Sequence, residues 1–269
     1  VTATPAHDAG RFAISERYTA SRQRMLAMLP ELESSGALIC TVYMSPESQS
    51  GGIPLPDLGA LAGPKGRSLR TDIAGMVRQV PESDTGMVLF IGDETAMAVA
   101  PPFPVDEDAF LEGSDSASLV ELLTEDLTVG VVLLRLGRYA VGVVRDNKLL
   151  ASKSGSRYVK NRHRKGRSSQ RRFERSRERL VRELYDKTCQ VVRDVFSPYE
   201  NEVDYILMGG EQHTLSGFRL RCRYLKDFDH RILTRVLQVD RPGQDALNRI
   251  AYEVWKSRVI TFSYERFQV

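Results

Sequence analysis

A short polar segment in the middle of the chain carries side chains that can support hydrolytic chemistry. It reads Gly166-Arg167-Ser168-Ser169-Gln170. A glutamine amide accepts and donates hydrogen bonds without changing its protonation state, so Gln170 can orient a water molecule. Gly166, Ser168 and Ser169 are small enough to let the backbone approach a ligand closely. Gly166, Ser168, Ser169 and Gln170 are therefore the candidate catalytic residues.

The same residues also have simpler interpretations. Ser168 or Ser169 can cap the start of a helix, and no His or Asp is placed in the sequence to activate either as a nucleophile. His163 as a general base is a minority option. Gln170, taken alone, is typical of a helix start with no chemical role. These residues by themselves leave the chemistry open.

The polar segment lies inside the most basic part of the chain, Ser154–Arg182. The net charge of the whole chain is only +3, and the rest of the chain is acidic. A local basic block of this kind indicates a polyanionic partner, because arginine binds phosphate bidentately and Tyr158 can stack on unpaired bases. The predicted RNA-binding residues are Arg157, Lys160, Arg162, His163, Arg164, Lys165, Arg167, Arg171 and Arg172. We also expect residues 156–170 to be mobile, since no comparably acidic stretch neutralises them.

Composition excludes several other classes of protein. A chain of 269 residues with 42% hydrophobic residues predicts one or two globular domains. Cys40, Cys189 and Cys222 are widely spaced, which predicts neither a metal site nor a disulfide framework and favours a reducing cytoplasm. The sequence contains no apolar run long enough to cross a membrane and no apolar signal segment at its start. No cofactor is predicted, and the sequence does not indicate an oligomeric state.

Hydrophobic periodicity and turn residues predict an α/β domain over residues 1–105, followed by a linker over 101–117. The predicted elements are a disordered start over 1–13, a helix over 14–32, a strand over 37–44, a loop over 45–64, a helix over 68–80 and a hairpin over 87–101.

The second half of the chain predicts a mixed sheet flanked by helices, over residues 118–269. The predicted elements are a helix over 118–124, strands over 128–135, 138–145 and 148–153, a helix from 171 to 196, a strand over 205–208, a helix over 211–225, a strand over 232–239 and a helix over 244–259.

The order of these elements resembles the middle, catalytic domain of eukaryotic and archaeal class I peptide-chain release factors. The segment VGVVLLRLGRYAVGVVRDNKLLAS resembles the opening strand meander of that domain, and a basic arm, residues 154–172, follows it. QRRFERSRERL resembles the helix after the family's Gly-Gly-Gln loop, and YILMGG resembles the next strand. Within this class the chain is most similar to the Vms-like release factors, which rescue stalled ribosomal subunits by freeing the nascent chain from tRNA.

The resemblance implies two domains, the second with the fold of the release-factor catalytic domain. It also implies partners: the large ribosomal subunit, its rRNA and peptidyl-tRNA. The first domain, residues 1–105, would recognise the ribosome or the body of the tRNA.

The candidate tip departs from the family pattern. Counting back five residues from Phe173 reaches Ser168, which gives Gly-Arg-Ser where the family has Gly-Gly-Gln. Gln170 fits a glycine-to-glutamine tip only if the loop is one residue longer than a Gly-x-x-Gln form. Three functions stay open: hydrolysis of the peptidyl-tRNA ester, cleavage of the tRNA near its 3′ end, and RNA or ribosome binding without catalysis.

Overall fold

The computed structural model describes four stretches of the chain, residues 10–34, 38–51, 64–159 and 167–266. Its strands are β1 (Gly10–Ala20), β2 (Leu38–Met44), β3 (Met87–Gly92), β4 (Thr95–Ala100), β5 (Ala109–Glu112), β6 (Thr128–Arg135), β7 (Arg138–Arg145), β8 (Lys148–Ser156), β9 (Val203–Gly210), β10 (Ile232–Leu237) and β11 (Ser257–Arg266). Its α-helices are α1 (Arg22–Ser34), α2 (Pro46–Gly51), α3 (Pro64–Gln79), α4 (Ala117–Thr124), α5 (Arg167–Phe196), α6 (Gln212–Arg221) and α7 (Gln244–Glu253).

The chain divides into two compact units. Unit 1 combines Val1–Glu125 with Trp255–Val269, and unit 2 is Asp126–Val254. The bounds predicted from sequence, 1–105 and 118–269, differ from this division because the chain returns to the first unit at its end. The prediction of an α/β chain whose second domain is a mixed sheet flanked by helices is confirmed.

Unit 1 is built on an antiparallel sheet in the order β1-β11-β4-β3-β2-β5. Helix α3 packs Ile73 and Met76 on one face, and helices α1 and α4 contribute to the core on the other. Helices therefore cover both faces, so the central strands carry apolar residues without alternation. Strand β3 shows this directly, because every one of its residues is buried.

Several predictions for unit 1 are confirmed and several are wrong. The strand over 37–44, the helix over 68–80 and the hairpin over 87–101 correspond to β2, α3 and β3–β4. The helix over 14–32 is wrong in its first part, where β1 runs, and β1 also includes the last residues of the segment predicted as disordered. The predicted loop over 45–64 begins with α2, and the predicted linker contains β5. Residues 1–9 and 52–63 lie outside the described part of the chain.

The errors at β1 and β5 have a common cause. Within the described residues, strand β1 pairs only with β11, where Gly10 lies opposite Arg266, and β5 pairs with β2 across a long stretch of sequence. Long-range pairing of this kind overrides local helix propensity and the turn residues near Pro104.

Unit 2 contains a mixed sheet in the order β10-β9-β6-β7-β8. Strands β6, β7 and β8 form the predicted antiparallel meander, and β9 lies parallel to both β6 and β10. The turn between β7 and β8 has positive φ at Asp146 (43°) and Asn147 (62°), which suits a two-residue hairpin turn. At the end of β9, Gly210 adopts a φ of 132°, and an added Cβ would lie 2.0 Å from the Leu134 carbonyl oxygen. The glycine at the end of YILMGG is therefore required by the backbone.

Helix α5 packs along this sheet and dominates the core of unit 2. Leu184, Val191 and Val195 are buried against strands β6, β7 and β9, and Phe196 is fully buried at the helix end. Burial of each large apolar side chain contributes about 1.5–3 kcal/mol.

Two helix predictions in unit 2 need correction. The helix over 211–225 is divided, since α6 ends at Arg221 and a 3₁₀ segment follows over Arg223–Arg231. The helix over 244–259 is wrong in its last part, because α7 ends at Glu253 and the chain continues as β11.

Candidate functional site

The root of the basic arm is fixed to the sheet of unit 2. Strand β8 ends at Ser156, and the backbone N–H of Arg157 then donates a hydrogen bond to the Gly137 carbonyl at 2.9 Å. Val159 packs against the core, whereas Tyr158 is 74% exposed. The chain is therefore held as far as Val159, and Tyr158 is free to stack on a partner.

The candidate tip lies at the start of α5. The helix begins at Arg167, so Ser168, Ser169 and Gln170 occupy its first turn. The prediction of a loop up to Gln170, with a helix from about Arg171, is thus wrong by one turn. Gly166 lies outside the described residues.

The start of α5 brings backbone N–H groups to the candidate tip. The first N–H groups of a helix have no carbonyl partner within it, and they form the positive end of the helix dipole. In α5 these are the N–H groups at Arg167–Ser169. They offer donors to an anion or a developing oxyanion next to Gln170. The sequence signal was present, because Ser168 and Ser169 were already recognised as possible helix caps.

The predicted RNA-binding residues divide into two groups. Arg157, Arg167, Arg171 and Arg172 lie in described parts of the chain, and the side chain of Arg172 is exposed. Arg157 donates to Glu183 at 3.0 Å, and Arg179 also approaches Glu183 at 3.7 Å. The other predicted residues, Lys160, Arg162, His163, Arg164 and Lys165, lie outside the described residues.

Ion pairing neutralises only part of the charge at this end of the molecule. Glu183 forms ion pairs with two arginines, Arg157 and Arg179, so these three side chains together keep a net positive charge. Arg172 and Arg175 are also exposed. The start of α5 therefore combines N–H groups that have no carbonyl partner within the helix, a glutamine in the first turn and the exposed Arg172 and Arg175, a combination suited to an anionic ligand.

Two of the three cysteines form a disulfide that the sequence does not predict. Cys189 of α5 and Cys222, directly after α6, form a disulfide with a Cα–Cα distance of 5.3 Å. Widely spaced cysteines predicted no crosslink, but α6 brings Cys222 back onto α5. Cys40 is free and buried in unit 1, and burial raises the pKa of its thiol to about 12.

Arg219, Arg221 and Arg223 alternate with apolar residues in the sequence, a pattern that by itself would place them on one face of a strand. The structure separates them. Arg219 pairs with Asp229 at 3.1 Å, whereas Arg221 forms a bidentate pair with Asp186 of α5 at 2.6 and 2.8 Å. The Arg221 hydrogen bonds lower the pKa of the Asp186 carboxyl.

The described residues contain no group of three His, Cys, Asp or Glu side chains that could hold a metal ion. Among them there is also no helix with the length and apolar character needed to cross a membrane.

Comparison with known proteins finds a family match that covers almost all of unit 2. Residues 127–260 match the family model described as Actinobacteria/chloroflexi VLRF1 release factor. The fold of unit 2 is thus that of a release-factor-like domain. The chain belongs to the Vms-like release factors, and residues 127–260 are the part that carries the match.

Related proteins extend the similarity into the first half of the chain. Peptide chain release factor subunit 1 of Methanopyrus kandleri is 27% identical over 268 residues, covering 88% of this chain and 64% of the relative. The corresponding protein of Archaeoglobus fulgidus is 24% identical over 231 residues, covering 76% and 56%. The crystal structure of the archaeal translation termination factor aRF1 aligns with a TM-score of 0.37 and 15% identity, over 88% of this chain and 73% of that one. The chain spans less than two thirds of the length of the two sequence relatives.

Proposed function

We propose that the chain is a ribosome-rescue factor that hydrolyses the ester bond of peptidyl-tRNA on a stalled large ribosomal subunit. The observation that carries the proposal is the position of Ser168–Gln170 in the first turn of α5, a helix packed on the sheet of the family-matched segment. The proposed partners are the large subunit, its rRNA and peptidyl-tRNA. The proposed location is the cytoplasm, and the reaction needs no cofactor.

The proposed chemistry uses water and the tip alone. The ester is already an activated bond, so the main requirements are a placed water and stabilisation of the tetrahedral oxyanion. The Gln170 amide oxygen accepts a hydrogen bond from the water, whose oxygen attacks the ester carbonyl carbon. The ester C–O bond then breaks, and the tRNA 3′ oxygen takes up one proton of the water. The peptide leaves as a carboxylate after the other proton passes to solvent. The N–H groups at Arg167–Ser169, which have no carbonyl partner within the helix, stabilise the oxyanion.

The basic residues supply affinity and position. Exposed Arg172 and Arg175 on α5 are placed to neutralise phosphates near the tip, together with the arm over 160–166. Each neutralised phosphate steepens the dependence of binding on salt. We further propose that unit 1 recognises the ribosomal subunit or the body of the tRNA.

A peptidyl-tRNA release assay on stalled large subunits tests the proposed chemistry. We expect Gln170→Ala to lower the release rate about 10²–10³-fold, an effect comparable to the loss of one oxyanion donor, because the attacking water loses the acceptor that positions it. Binding to the subunit should not change. Ser168→Ala should have little effect, which separates Gln170 from the alternative register in which Ser168 stands at the tip.

Gln212→Ala is the matched control, since Gln212 lies in the first turn of another helix, α6, and is exposed. The tRNA product must keep an intact CCA end. A shortened end would contradict ester hydrolysis and favour cleavage of the tRNA. Binding without release by the wild-type protein would contradict the hydrolase proposal and favour a non-catalytic module.

A further inference from the structure

A polar crevice of about 400 Å³ lies on unit 2, between the second half of α5 and the segment that follows α6. Arg193, Arg221 and Arg223 line it together with Tyr224 and Asp186. It contains three guanidinium groups and one carboxylate, so it carries a positive excess. It is separate from the candidate tip, since Arg193 lies 26 residues along α5 from Arg167, or about 39 Å at the helical rise of 1.5 Å per residue.

The Asp186 carboxylate pairs with only one of the three guanidinium groups, that of Arg221. Asp186 accepts two hydrogen bonds from Arg221, whereas Arg193 lies over the Tyr224 ring, 5.7 Å from its centroid. Arg223 is exposed and makes no ion pair or hydrogen bond within the described part of the chain. Arg193 and Arg223 therefore keep their donors for a ligand.

The walls of the crevice are held in place. The Cys189–Cys222 disulfide joins α5 to the residue just before Arg223, and it lies beside the Asp186–Arg221 pair. Both connections cross between the same two segments. The guanidinium groups are thus presented by a fixed backbone, which reduces the entropy lost on binding.

Tyr224 provides an independent sign of a polar site. Its side chain is only 9% exposed, and its hydroxyl is buried with no hydrogen-bond partner among the described atoms. A buried hydroxyl without a partner is costly, so such groups commonly mark a place where water or a ligand binds.

We propose that this crevice binds the phosphate backbone of RNA as a second contact, remote from the tip. The inference rests on the proposed function, in which α5 already carries RNA-binding residues at its other end. Guanidinium groups match phosphate bidentately, and an open crevice with a mainly polar lining suits a phosphate backbone rather than a base. The partner in the rescue complex is tRNA or rRNA, and both present the same phosphate chemistry.

The test measures binding of deacylated tRNA and of purified large subunits at several salt concentrations. The variant is Arg193→Ala with Arg223→Ala. Its matched control is Arg219→Ala with Arg241→Ala, two exposed arginines that do not line the crevice. We expect the crevice variant to lower the slope of log K against log salt by about 1.4–1.8, since two phosphate contacts are lost at about 0.7–0.9 each. A lower slope with tRNA identifies tRNA as the source of the phosphates, and a lower slope with subunits alone identifies rRNA.

Equal slopes for the crevice variant and its control, with both RNAs, would overturn the proposal. So would binding of a poly-glutamate peptide that depends on Arg193 and Arg223 while RNA binding does not. The two proposals fail separately. If the crevice variant lowers the salt slope but the wild-type protein releases no peptide, only the hydrolase function is refuted. If the wild-type protein releases the peptide but the crevice variant leaves the salt slope unchanged, only this RNA contact is refuted.

Discussion

At the scale of single residues, the three cysteines differ sharply in reactivity. Cys189 and Cys222 are bonded to each other, and Cys40 is buried with a pKa raised to about 12. The thiolate is the reactive form, so at pH 8 almost none of the Cys40 thiol can react in the folded protein.

Thiol titration with an aromatic disulfide reagent follows from this difference. We expect no fast-reacting thiol in the native protein, one after denaturation without reductant, and three after reduction and denaturation. Cys40→Ala, as a control, should remove the single thiol seen on denaturation. Three reactive thiols without reductant would show that Cys189 and Cys222 are not bonded.

The residue types of the candidate tip can be read from the sequence, whereas the disulfide and the ion pairs cannot. The small residues and the glutamine at 166–170 predict a candidate tip, because residue types and their spacing are local properties, and this prediction stays untested. The pairing of Cys189 with Cys222 depends on how α6 folds back onto α5. The spacing of the cysteines in the sequence does not predict that contact. The ion pair between Asp186 and Arg221 depends on the same packing and is likewise not predictable from spacing.

At the scale of elements, the position of α5 depends on a contact with β6. Gly130 of β6 faces the ring of Phe196 at the end of α5, and an added Cβ would lie 2.7 Å from that ring. The ring is fully buried, so it has little room to move.

Gly130→Ala should therefore destabilise unit 2 by about 1–3 kcal/mol, the usual cost of overpacking a core. Urea unfolding followed by circular dichroism measures the change. Gly75→Ala in α3 is the matched control, since no atom lies within 4 Å of the added Cβ. It should be neutral or stabilising by up to about 1 kcal/mol, because alanine favours helix. An unchanged stability for Gly130→Ala would mean that α5 does not rest on β6 in this way.

Elements with local partners were predicted well, and those with distant partners were not. The β6–β7–β8 meander and the β3–β4 hairpin pair across short turns, and periodicity with turn residues was enough to locate them. Strands β1, β5 and β11 pair across long stretches of sequence, so β1 and the start of β11 were assigned to helices.

At the scale of the whole molecule, the last strand belongs to the first unit. Strand β11 lies between β1 and β4, and Val259 and Phe262 are buried in that unit's two cores. The domain boundary from composition missed this return, because nothing in the local sequence distinguishes a strand that joins a distant sheet.

Truncation after Val254 should therefore unfold unit 1 and leave unit 2 folded. Removal of β11 takes away the partner of β1 and exposes the edge of β4. We expect calorimetry to lose one of two transitions, and hydrogen exchange to keep protection in β6–β9. Truncation after Phe262, which keeps most of β11, is the control and should retain both. Loss of both transitions on truncation at Val254 would show that unit 2 cannot fold alone.

The late return of the chain also determines when each part can fold during synthesis. Strand β1 is made early, but its partner β11 is completed only after unit 2 has been made. At about 5–20 residues per second, β1 waits roughly 10–50 seconds for it. Unit 1 therefore still has an unpaired strand after all of unit 2 has been made, so a chain that is cut short before residue 257 would carry the whole of unit 2 without a complete first unit.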